Sequence, residues 1–368
     1  MSFNCVVLIL SLGETRPSLT PMVVDRSRKG MVALGKTFGH SKNLRQLILS
    51  RNEKIGDEGV QAFNEAISDT NDTILESLEI LDLASCEIGA NGVEALSKLL
   101  NRCSIRSISL TLTSNPLRSA SCAALSTTLC GTSKVTSLYL SHCDIGDDGL
   151  KLLLVSQQCT NEIGLTVLDL SHNCIGSEGA TTLASALWDN GESRFKNLNE
   201  LVLTGNALGY IGVQCLGNAL AHRNEDGNFE VGNETLEILD LTQTDCGKDG
   251  AVAIMRCSHL KRVRLFNNQL ADDGFAALAS ELIGGHASLE QLDIGGNKAK
   301  INTVIQVLDA VGTINTEIDS RLNTLEIGGN ETGLDVEEAI KRVKTTRPEL
   351  DVARDKPNPQ QEAEADPP

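Results

Sequence analysis

Hydrophobic and polar positions along this chain follow a unit that returns about every 28 or 29 residues. The clearest copy runs from Leu165 to Gly179 and reads L-x-x-L-x-L-x-x-N-x-I-G-x-x-G, and apolar residues at helical spacing, Leu183 and Leu187, follow it. Leucines at the first, fourth and sixth positions place apolar side chains on one face of a short strand and the intervening residues on the other. Each copy therefore predicts one strand followed by one helix.

Further copies cover most of the chain. Good ones begin at Leu44, Leu78, Val135, Leu198 and Leu260, weaker ones at Leu236, Leu289 and Leu322, and a degenerate one holds Leu110, Leu112 and Asn115. The ninth position reads Asn52, Cys86, Asn115, Cys143, Asn173, Asn206, Thr244, Asn268, Asn297 and Asn330. An amide placed where the chain leaves a strand can bond backbone groups that no strand pairing reaches. Including one degenerate repeat at the N-terminus, we count about eleven repeats.

Stacking of these units determines the fold class. One unit alone exposes an apolar side, and only a neighbouring unit buries it. Strands pack about 4.8 Å apart and helices about 8–10 Å apart, so the stack has to curve. We predict an α/β leucine-rich-repeat solenoid, a horseshoe with a parallel sheet on its concave face and helices on its convex face. The apolar stretch from Phe3 to Leu12 is interpreted as its first strand, not as a signal peptide or membrane span.

The repeat pattern sets the expected domain boundaries. Residues 1–346 form the predicted leucine-rich-repeat domain. Five of the eight prolines lie between Pro348 and Pro368, and the chain ends in QQEAEADPP, so residues 347–368 are predicted to be a disordered, acidic, Pro-rich tail.

Composition narrows the class of partner. A net charge of −17 argues against nucleic acid, since phosphate binding needs clustered Lys and Arg. It favours a protein partner with a basic surface. The eleven cysteines include no Cys-x-x-Cys pair and several occupy apolar repeat positions, which indicates reduced, buried thiols. We therefore expect a cytoplasmic protein, with a nuclear or perinuclear location as the alternative and no membrane insertion.

The repeats resemble the ribonuclease-inhibitor type of leucine-rich repeat in their period, their ninth-position Asn or Cys, and a full helix carrying G-x-x-G. The resemblance covers roughly residues 5 to 346. This group includes ribonuclease inhibitors, the sensing ends of nucleotide-binding immune receptors, and Ran GTPase-activating proteins. The last are similar in having about eleven repeats and an acidic C-terminal extension. Their catalytic asparagine stands in an L-x-N-N-x-L setting, which here matches Asn267 in the ninth unit, whereas the family places it in an early unit, where this chain has Ser114 and His142.

The fifth repeat position faces outward on the predicted concave wall. We predict a partner-binding set there, consisting of Asp82, Tyr139, Asp169, Asp240, Arg264, Asp293 and Glu326. Like charges on neighbouring strands destabilise a sheet, which favours a basic surface to be bound. The alternative is that Asp is only a soluble choice at an exposed strand site. Tyr139 and Arg264 are the expected anchors, because such residues dominate interface energies.

Other motifs point away from catalysis. The Gly-x-x-Gly turns often enclose acids, such as Asp57 and Glu58, which repel phosphate, so these glycines are predicted to be structural. His142 and His172 share one column but lack the third ligand of a metal site. No nucleophile, general-base pair or cofactor fingerprint occurs, so we predict no catalytic residue, no metal and no cofactor. The expected function is a protein-binding scaffold without catalysis of its own. The alternatives are a GTPase-activating protein for a Ran-like small GTPase and the ligand-sensing region of a nucleotide-binding immune-type receptor.

Overall fold

A computed structural model describes eleven stretches of the chain. They are residues 9–12, 28–38, 41–67, 75–131, 134–154, 163–188, 193–223, 229–231, 233–283, 288–313 and 321–354. The chain divides into two compact units, unit 1 (Met1–Val202) and unit 2 (Leu203–Pro368).

Unit 1 alternates strands and helices. Its elements are β1 (Ile9–Leu12), α1 (Arg28–Phe38), β2 (Leu44–Ile48), α2 (Gly56–Ile67), β3 (Ile80–Asp82), α3 (Ala90–Arg102), β4 (Ile108–Thr111), α4 (Arg118–Gly131), β5 (Val135–Tyr139), α5 (Gly146–Leu154), β6 (Val167–Asp169), α6 (Ser177–Leu187) and β7 (Glu200–Val202). Strands β2 to β7 pair in parallel and in chain order. The fourth-position leucines lie side by side, as in the register pair Leu138 and Leu168.

Unit 2 repeats the arrangement. Its elements are α7 (Gly209–Leu220), β8 (Ala221–Arg223), β9 (Phe229–Val231), β10 (Ile238–Asp240), α8 (Gly247–Met255), β11 (Arg262–Arg264), α9 (Ala271–Ile283), β12 (Gln291–Asp293), α10 (Ile301–Thr313), β13 (Thr324–Glu326), α11 (Leu334–Thr346) and β14 (Asp351–Ala353). Strands β10 to β14 form a parallel sheet in chain order. Strands β8 and β9 form a separate antiparallel pair in an insertion between two repeats.

The buried core has the composition that the repeat predicts. Leu168 and Leu170 are fully buried, and so are Leu183 and Leu187 on the helix that follows them. Short strands carrying every second side chain inward and helices carrying one apolar stripe leave a thin layer of Leu, Ile, Val and Ala between them. The predicted leucine-rich-repeat solenoid is confirmed, with parallel strands and one helix for each repeat. In each unit, the sheet face turned away from the helices is called the open sheet face below.

The N-terminal strand differs from a repeat strand. β1 pairs with β2 in antiparallel orientation, with Ile9 opposite Ile48 and Leu12 opposite Leu44. The prediction of a strand is correct for residues 9–12, while residues 3–8 lie outside the described part of the chain. Apolar alternation fixes which face of a strand is buried but not its direction, so the orientation could not be predicted.

The repeat domain extends beyond residue 346, where the sequence placed its end. The Arg347 guanidinium is buried, with Nη2 donating to Leu322 O at 2.5 Å and Nε to Glu349 Oε1 at 3.1 Å. Arg347 directly follows the last residue of α11. Strand β14 then pairs with β13 in the sheet, with Leu325 opposite Val352. The boundary therefore lies at or after residue 354, and the predicted tail from residue 355 lies outside the described residues.

Candidate functional site

The ninth-position amides join successive repeats through the backbone. Asn115 is buried, its Nδ2 donates to the carbonyl oxygens of Leu83 and Leu112 at 2.8 Å each, and its Oδ1 accepts from the N–H groups of Cys86 and Ile88 at 3.0 Å each. Both halves of the amide thus satisfy backbone groups that lie beyond the strand pairing. This column is structural and supports the surface without forming part of it.

Where Cys or Thr occupies the ninth position, the side chain supplies the hydrogen-bond donor of the amide. The Cys143 thiol donates to Leu112 O at 3.2 Å, and the Thr244 hydroxyl donates to Leu241 O at 2.8 Å. Burial raises the pKa of the Cys143 thiol to about 11, against weaker opposing effects of backbone hydrogen bonds. A neutral thiol can donate a hydrogen bond but is only a weak acceptor. We therefore assign these ninth-position side chains a structural role and no chemical reactivity.

At two helix starts, the glycine motif receives a carboxylate from the preceding repeat. Asp57 Oδ1 accepts from Gly89 N at 2.6 Å, and Asp147 Oδ1 accepts from Gly176 N at 2.7 Å. These carboxylates bind backbone donors at the start of the next helix, where the helix dipole favours negative charge. The structural interpretation of the Gly-x-x-Gly turns therefore holds, and the acids act between repeats rather than only on their own helix.

Aspartates at the fifth position close the turn that follows their own strand. Each accepts a hydrogen bond from the backbone N–H two residues on: Asp82 from Ala84 at 2.9 Å, Asp169 from Ser171 at 2.8 Å, Asp240 from Thr242 at 2.9 Å and Asp293 from Gly295 at 2.8 Å. This is an Asx-type turn, a local use of Asp that the sequence interpretation did not consider. One carboxylate oxygen of each side chain thus has a structural role.

On the open sheet face of unit 1, Tyr139 and Asp169 are register partners on neighbouring strands. Burial, followed by the charges of Glu200 and Asp169, raises the pKa of the Tyr139 hydroxyl. Glu200 occupies the third repeat position, outside the column that the sequence analysis used, and charged residues at that position are the signal that would have found it. Asp82 lies apart from Tyr139, because Thr111 stands between them in the sheet.

The four predicted residues of unit 2 form one row. Asp240, Arg264, Asp293 and Glu326 are successive register partners. Arg264 Nη1 lies 3.3 Å from Asp240 Oδ2, and Asp240 is buried. Burial raises the pKa of the Asp293 carboxyl to about 7, and the charges of Glu326 and Asp240 act in the same direction, while Gly295 N–H and Arg264 oppose them. The row contains three carboxyl groups and one guanidinium, and their exposure ranges from buried at Asp240 to exposed at Arg264.

The rings of His142 and His172 stack on one another in the turns that follow β5 and β6. Their ring centroids are 4.3 Å apart and their planes differ by 11°. The lone pair of an imidazole nitrogen lies in the ring plane, so nearly parallel rings cannot direct two nitrogens at one ion. In the described part of the chain, no group of three or more His, Cys, Asp or Glu side chains is placed to hold a metal.

The chain is similar to known repeat proteins. The family model described as "Leucine Rich repeat" matches residues 40–63, 75–97, 133–154, 165–184, 196–217, 232–255 and 256–279. The chain is 30% identical over 297 residues to "NACHT, LRR and PYD domains-containing protein 5" of Mus musculus, covering 74% of this chain and 24% of that protein. It is 30% identical over 219 residues to "Ribonuclease inhibitor" of Sus scrofa, covering 59% of this chain and 45% of that protein. The repeats of this chain are leucine-rich repeats of the ribonuclease-inhibitor type.

This leucine-rich-repeat protein spans only part of the length of these relatives. A third, "NACHT, LRR and PYD domains-containing protein 3" of Bos taurus, is 31% identical over 215 residues, which are 56% of this chain and 19% of that protein. The likeness is therefore to their repeat regions. No helix in the described ranges has the length and apolarity needed to cross a membrane.

Asn267, the match to the Ran GTPase-activating family, has a conformational role in this repeat protein. It is exposed and adopts φ of 54°, in the left-handed region. The same eighth position is left-handed in other repeats, with φ of 52° at Ser85, 57° at Ser114, 56° at His142 and 52° at His172. Asn tolerates this conformation better than most residues. The local geometry therefore accounts for an Asn here without a catalytic role.

Proposed function

We propose that this protein is a binding scaffold without catalysis of its own, and that it holds a folded protein with a basic surface on the open sheet face of unit 1. The observation that carries the proposal is the register pairing of Tyr139 with Asp169 on neighbouring strands, where burial, followed by the charges of Glu200 and Asp169, raises the pKa of the Tyr139 hydroxyl. A half-buried aromatic ring beside two carboxylates suits a Lys or Arg side chain, since the ring attracts a cation and the carboxylates neutralise it.

The surroundings of Tyr139 leave that ring accessible. Its neighbours on the open sheet face include Thr111 and Ser137, which are small and only partly buried. Large aromatic anchors surrounded by small polar residues are typical of interface hot spots. The overall charge of −17 adds long-range attraction for a basic partner.

The relatives support a protein ligand. One of them is named a ribonuclease inhibitor, so its target is itself a folded enzyme. Small basic proteins, such as a pancreatic ribonuclease and a lysozyme, are therefore suitable first probes for this chain. We infer a cytoplasmic setting from eight cysteines that are free thiols in the described part of the chain.

The test is to remove charge without removing the turns. Asp82→Asn, Asp169→Asn and Glu200→Gln in one variant neutralise the open sheet face of unit 1, and Asn keeps the oxygen that accepts the turn hydrogen bond. A matched variant, Glu58→Gln, Asp148→Asn and Glu178→Gln, removes three charges from exposed helix starts of the same unit. Affinity for the two probes is measured by calorimetry at low salt.

We expect the first variant to bind about tenfold more weakly, corresponding to about 1.4 kcal/mol, and the matched variant to change little. Equal losses in both variants would mean that only net charge matters. Failure of both probes to bind the unaltered chain would refute the proposal.

GTPase activation is the second candidate, and it is supported by the exposed position of Asn267 in its L-x-N-N-x-L setting. The test is single-turnover GTP hydrolysis by a Ran-type GTPase with the unaltered chain and with Asn267→Ser. Serine occupies the same left-handed position at Ser85 and Ser114, so the turn is preserved. This candidate requires stimulation that the variant abolishes.

A role as the sensing region of a nucleotide-binding immune-type receptor is the third candidate. It is supported by similarity to the repeat regions of proteins named for NACHT, LRR and PYD domains. This role requires the same ligand-binding surface on unit 1. The test is whether a longer protein that contains this chain binds its ligand through the residues of that surface.

A further inference from the structure

The stack of His142 and His172 has one ring face open toward a neighbouring strand. The two rings come from adjacent repeats and stack along the direction from one strand to the next. The residue on the other side of His142 is therefore the eighth-position residue of the preceding repeat, Ser114. The turns stay in register there, since Ser114 N donates to Ser141 O at 2.8 Å.

Ser114 is too small to cover that ring. It is exposed, as are both histidines, and it shares their left-handed backbone. Strands in a sheet are about 4.8 Å apart, which is close to the 4.3 Å between the stacked rings. The space above Ser114 can therefore accept one more planar group in continuation of the stack.

The charges around the stack favour a cationic planar group. Charged residues on the strands and turns beside it include the carboxylates of Asp144, Asp169 and Glu200 and the guanidinium of Arg118. The guanidinium is paired with a carboxylate, with Arg118 Nε 3.9 Å from Asp144 Oδ2. An arginine guanidinium is planar, cationic and able to stack on a ring face while its N–H groups bind carboxylates.

We propose that the open face of His142, above Ser114, is the docking position for an arginine side chain of the basic protein partner. The inference rests on the proposed function and specifies the contact that one of the partner's side chains makes. It adds a second anchor in the turn that follows β5, three residues along the chain from Tyr139.

Such a contact requires a neutral stack. Histidine ordinarily titrates near pH 6.5, and a guanidinium is attracted to a neutral ring but repelled by an imidazolium. Burial and the neighbouring His142 lower the pKa of His172, while Asp169 opposes them. The lowered pKa keeps the His172 ring neutral in mild acid, so the arginine contact should be present at pH 8 and weaken only as the pH falls toward 5, below the ordinary histidine range.

The test uses substitutions that the left-handed backbone tolerates. Ser114→His places a third ring over the open face, at a position whose conformation two histidines already adopt. Ser85→His is the matched control, since it makes the same change in the same backbone conformation one strand further away. His142→Asn removes the ring and uses the residue found at Asn267. Affinities of the full chain for a pancreatic ribonuclease and for a lysozyme are measured at pH 8 and pH 5.

We expect Ser114→His and His142→Asn to weaken binding about two- to fivefold at pH 8, the size of an exposed cation–π contact, and Ser85→His to bind as the unaltered chain. We also expect the unaltered chain to lose affinity between pH 8 and pH 5 by a larger factor than His142→Asn. Equal binding by the two serine variants, or equal pH dependence with and without His142, overturns the inference while the charge-neutralised variant still tests the proposed function. Absence of any binding to the probes overturns both.

Discussion

Asp57 occupies the space that a side chain at Gly92 would need. A Cβ added at Gly92 would lie 2.5 Å from Asp57 Oδ1 and 2.8 Å from Ile88 Cγ2. The same carboxylate oxygen accepts the hydrogen bond from Gly89 N at 2.6 Å. The second glycine of the motif therefore makes room for a carboxylate that connects α2 to the start of α3.

We predict that Gly92→Ala destabilises the protein by about 1–2 kcal/mol. The added methyl group has to displace Asp57 or Ile88, which costs about 1–3 kcal/mol, and the better helix propensity of Ala offsets up to about 1 kcal/mol. Gly89→Ala is the matched control, because its Cβ would meet Asp57 no closer than 3.4 Å. Urea unfolding measures both, and equal stability of the two variants would contradict this role of the motif.

Sequence periodicity was sufficient to predict the interior of the fold. The pattern that begins at Leu165 correctly identified Leu168, Leu170 and Asn173 as buried, because inward positions of a strand and helix recur with fixed spacing. It could not give the direction of β1 or the addition of β14 to the sheet. Those features depend on which chain end pairs with an exposed strand edge, and periodicity carries no information on that pairing.

The ninth-position column contains amides and thiols that should differ sharply in their contribution to stability. We predict that Asn115→Ala costs about 3 kcal/mol or more, because it leaves the buried N–H groups of Cys86 and Ile88 without their acceptor. Cys143→Ala should cost about 1 kcal/mol, since it loses one weak thiol donor and a small volume. Equilibrium unfolding of both variants checks the difference, and the opposite ranking would refute the division of roles.

The candidate surface was predicted less completely than the core. The fifth-position column correctly placed Tyr139 beside Asp169, because residues at the same repeat position become register partners. It gave no sign that Asp side chains would fold back onto the backbone N–H two residues on. It also omitted Glu200, because that residue occupies the third repeat position, which shares the outward face of the strand with the fifth.

The Asp293 carboxyl should make stability depend on pH near neutrality. Its raised pKa, about 7, means that the folded protein binds this proton more tightly than the unfolded chain. The resulting stabilisation is complete below about pH 4 and is lost as the pH rises through about 7. Asp293→Asn keeps the acceptor for Gly295 N–H and removes the charge.

We therefore predict that Asp293→Asn is more stable than the unaltered chain at pH 8, by on the order of 2 kcal/mol, and that this gain diminishes toward pH 4. Asp82→Asn is the control, since Asp82 closes the same kind of turn while its partners on the two neighbouring strands, Ile48 and Thr111, are uncharged. The measurement is the free energy of unfolding at several pH values. A gain of the same size in both variants would show that the turn, and not burial of the charge, is responsible.

His259 should limit stability in mild acid. Both of its ring nitrogens are buried without a hydrogen-bond partner among the described residues, and burial lowers its pKa to about 4 against the opposing charge of Glu237. A lowered pKa means that the unfolded chain binds the proton more tightly. The contribution of His259 to stability is therefore complete above about pH 6.5 and is lost progressively as the pH falls toward 4.

We predict that His259→Leu reduces the pH dependence of the free energy of unfolding between pH 6.5 and 4. It should leave the protein at least as stable at pH 7, because Leu buries no polar atom. His259→Gln should reduce the same pH dependence without the gain in stability at pH 7. The two variants together distinguish the effect of protonation from the effect of burying a polar side chain. His142→Asn, at an exposed site, is the control and should leave most of the slope in place. An unchanged slope in both His259 variants would mean that other groups cause the loss of stability in acid.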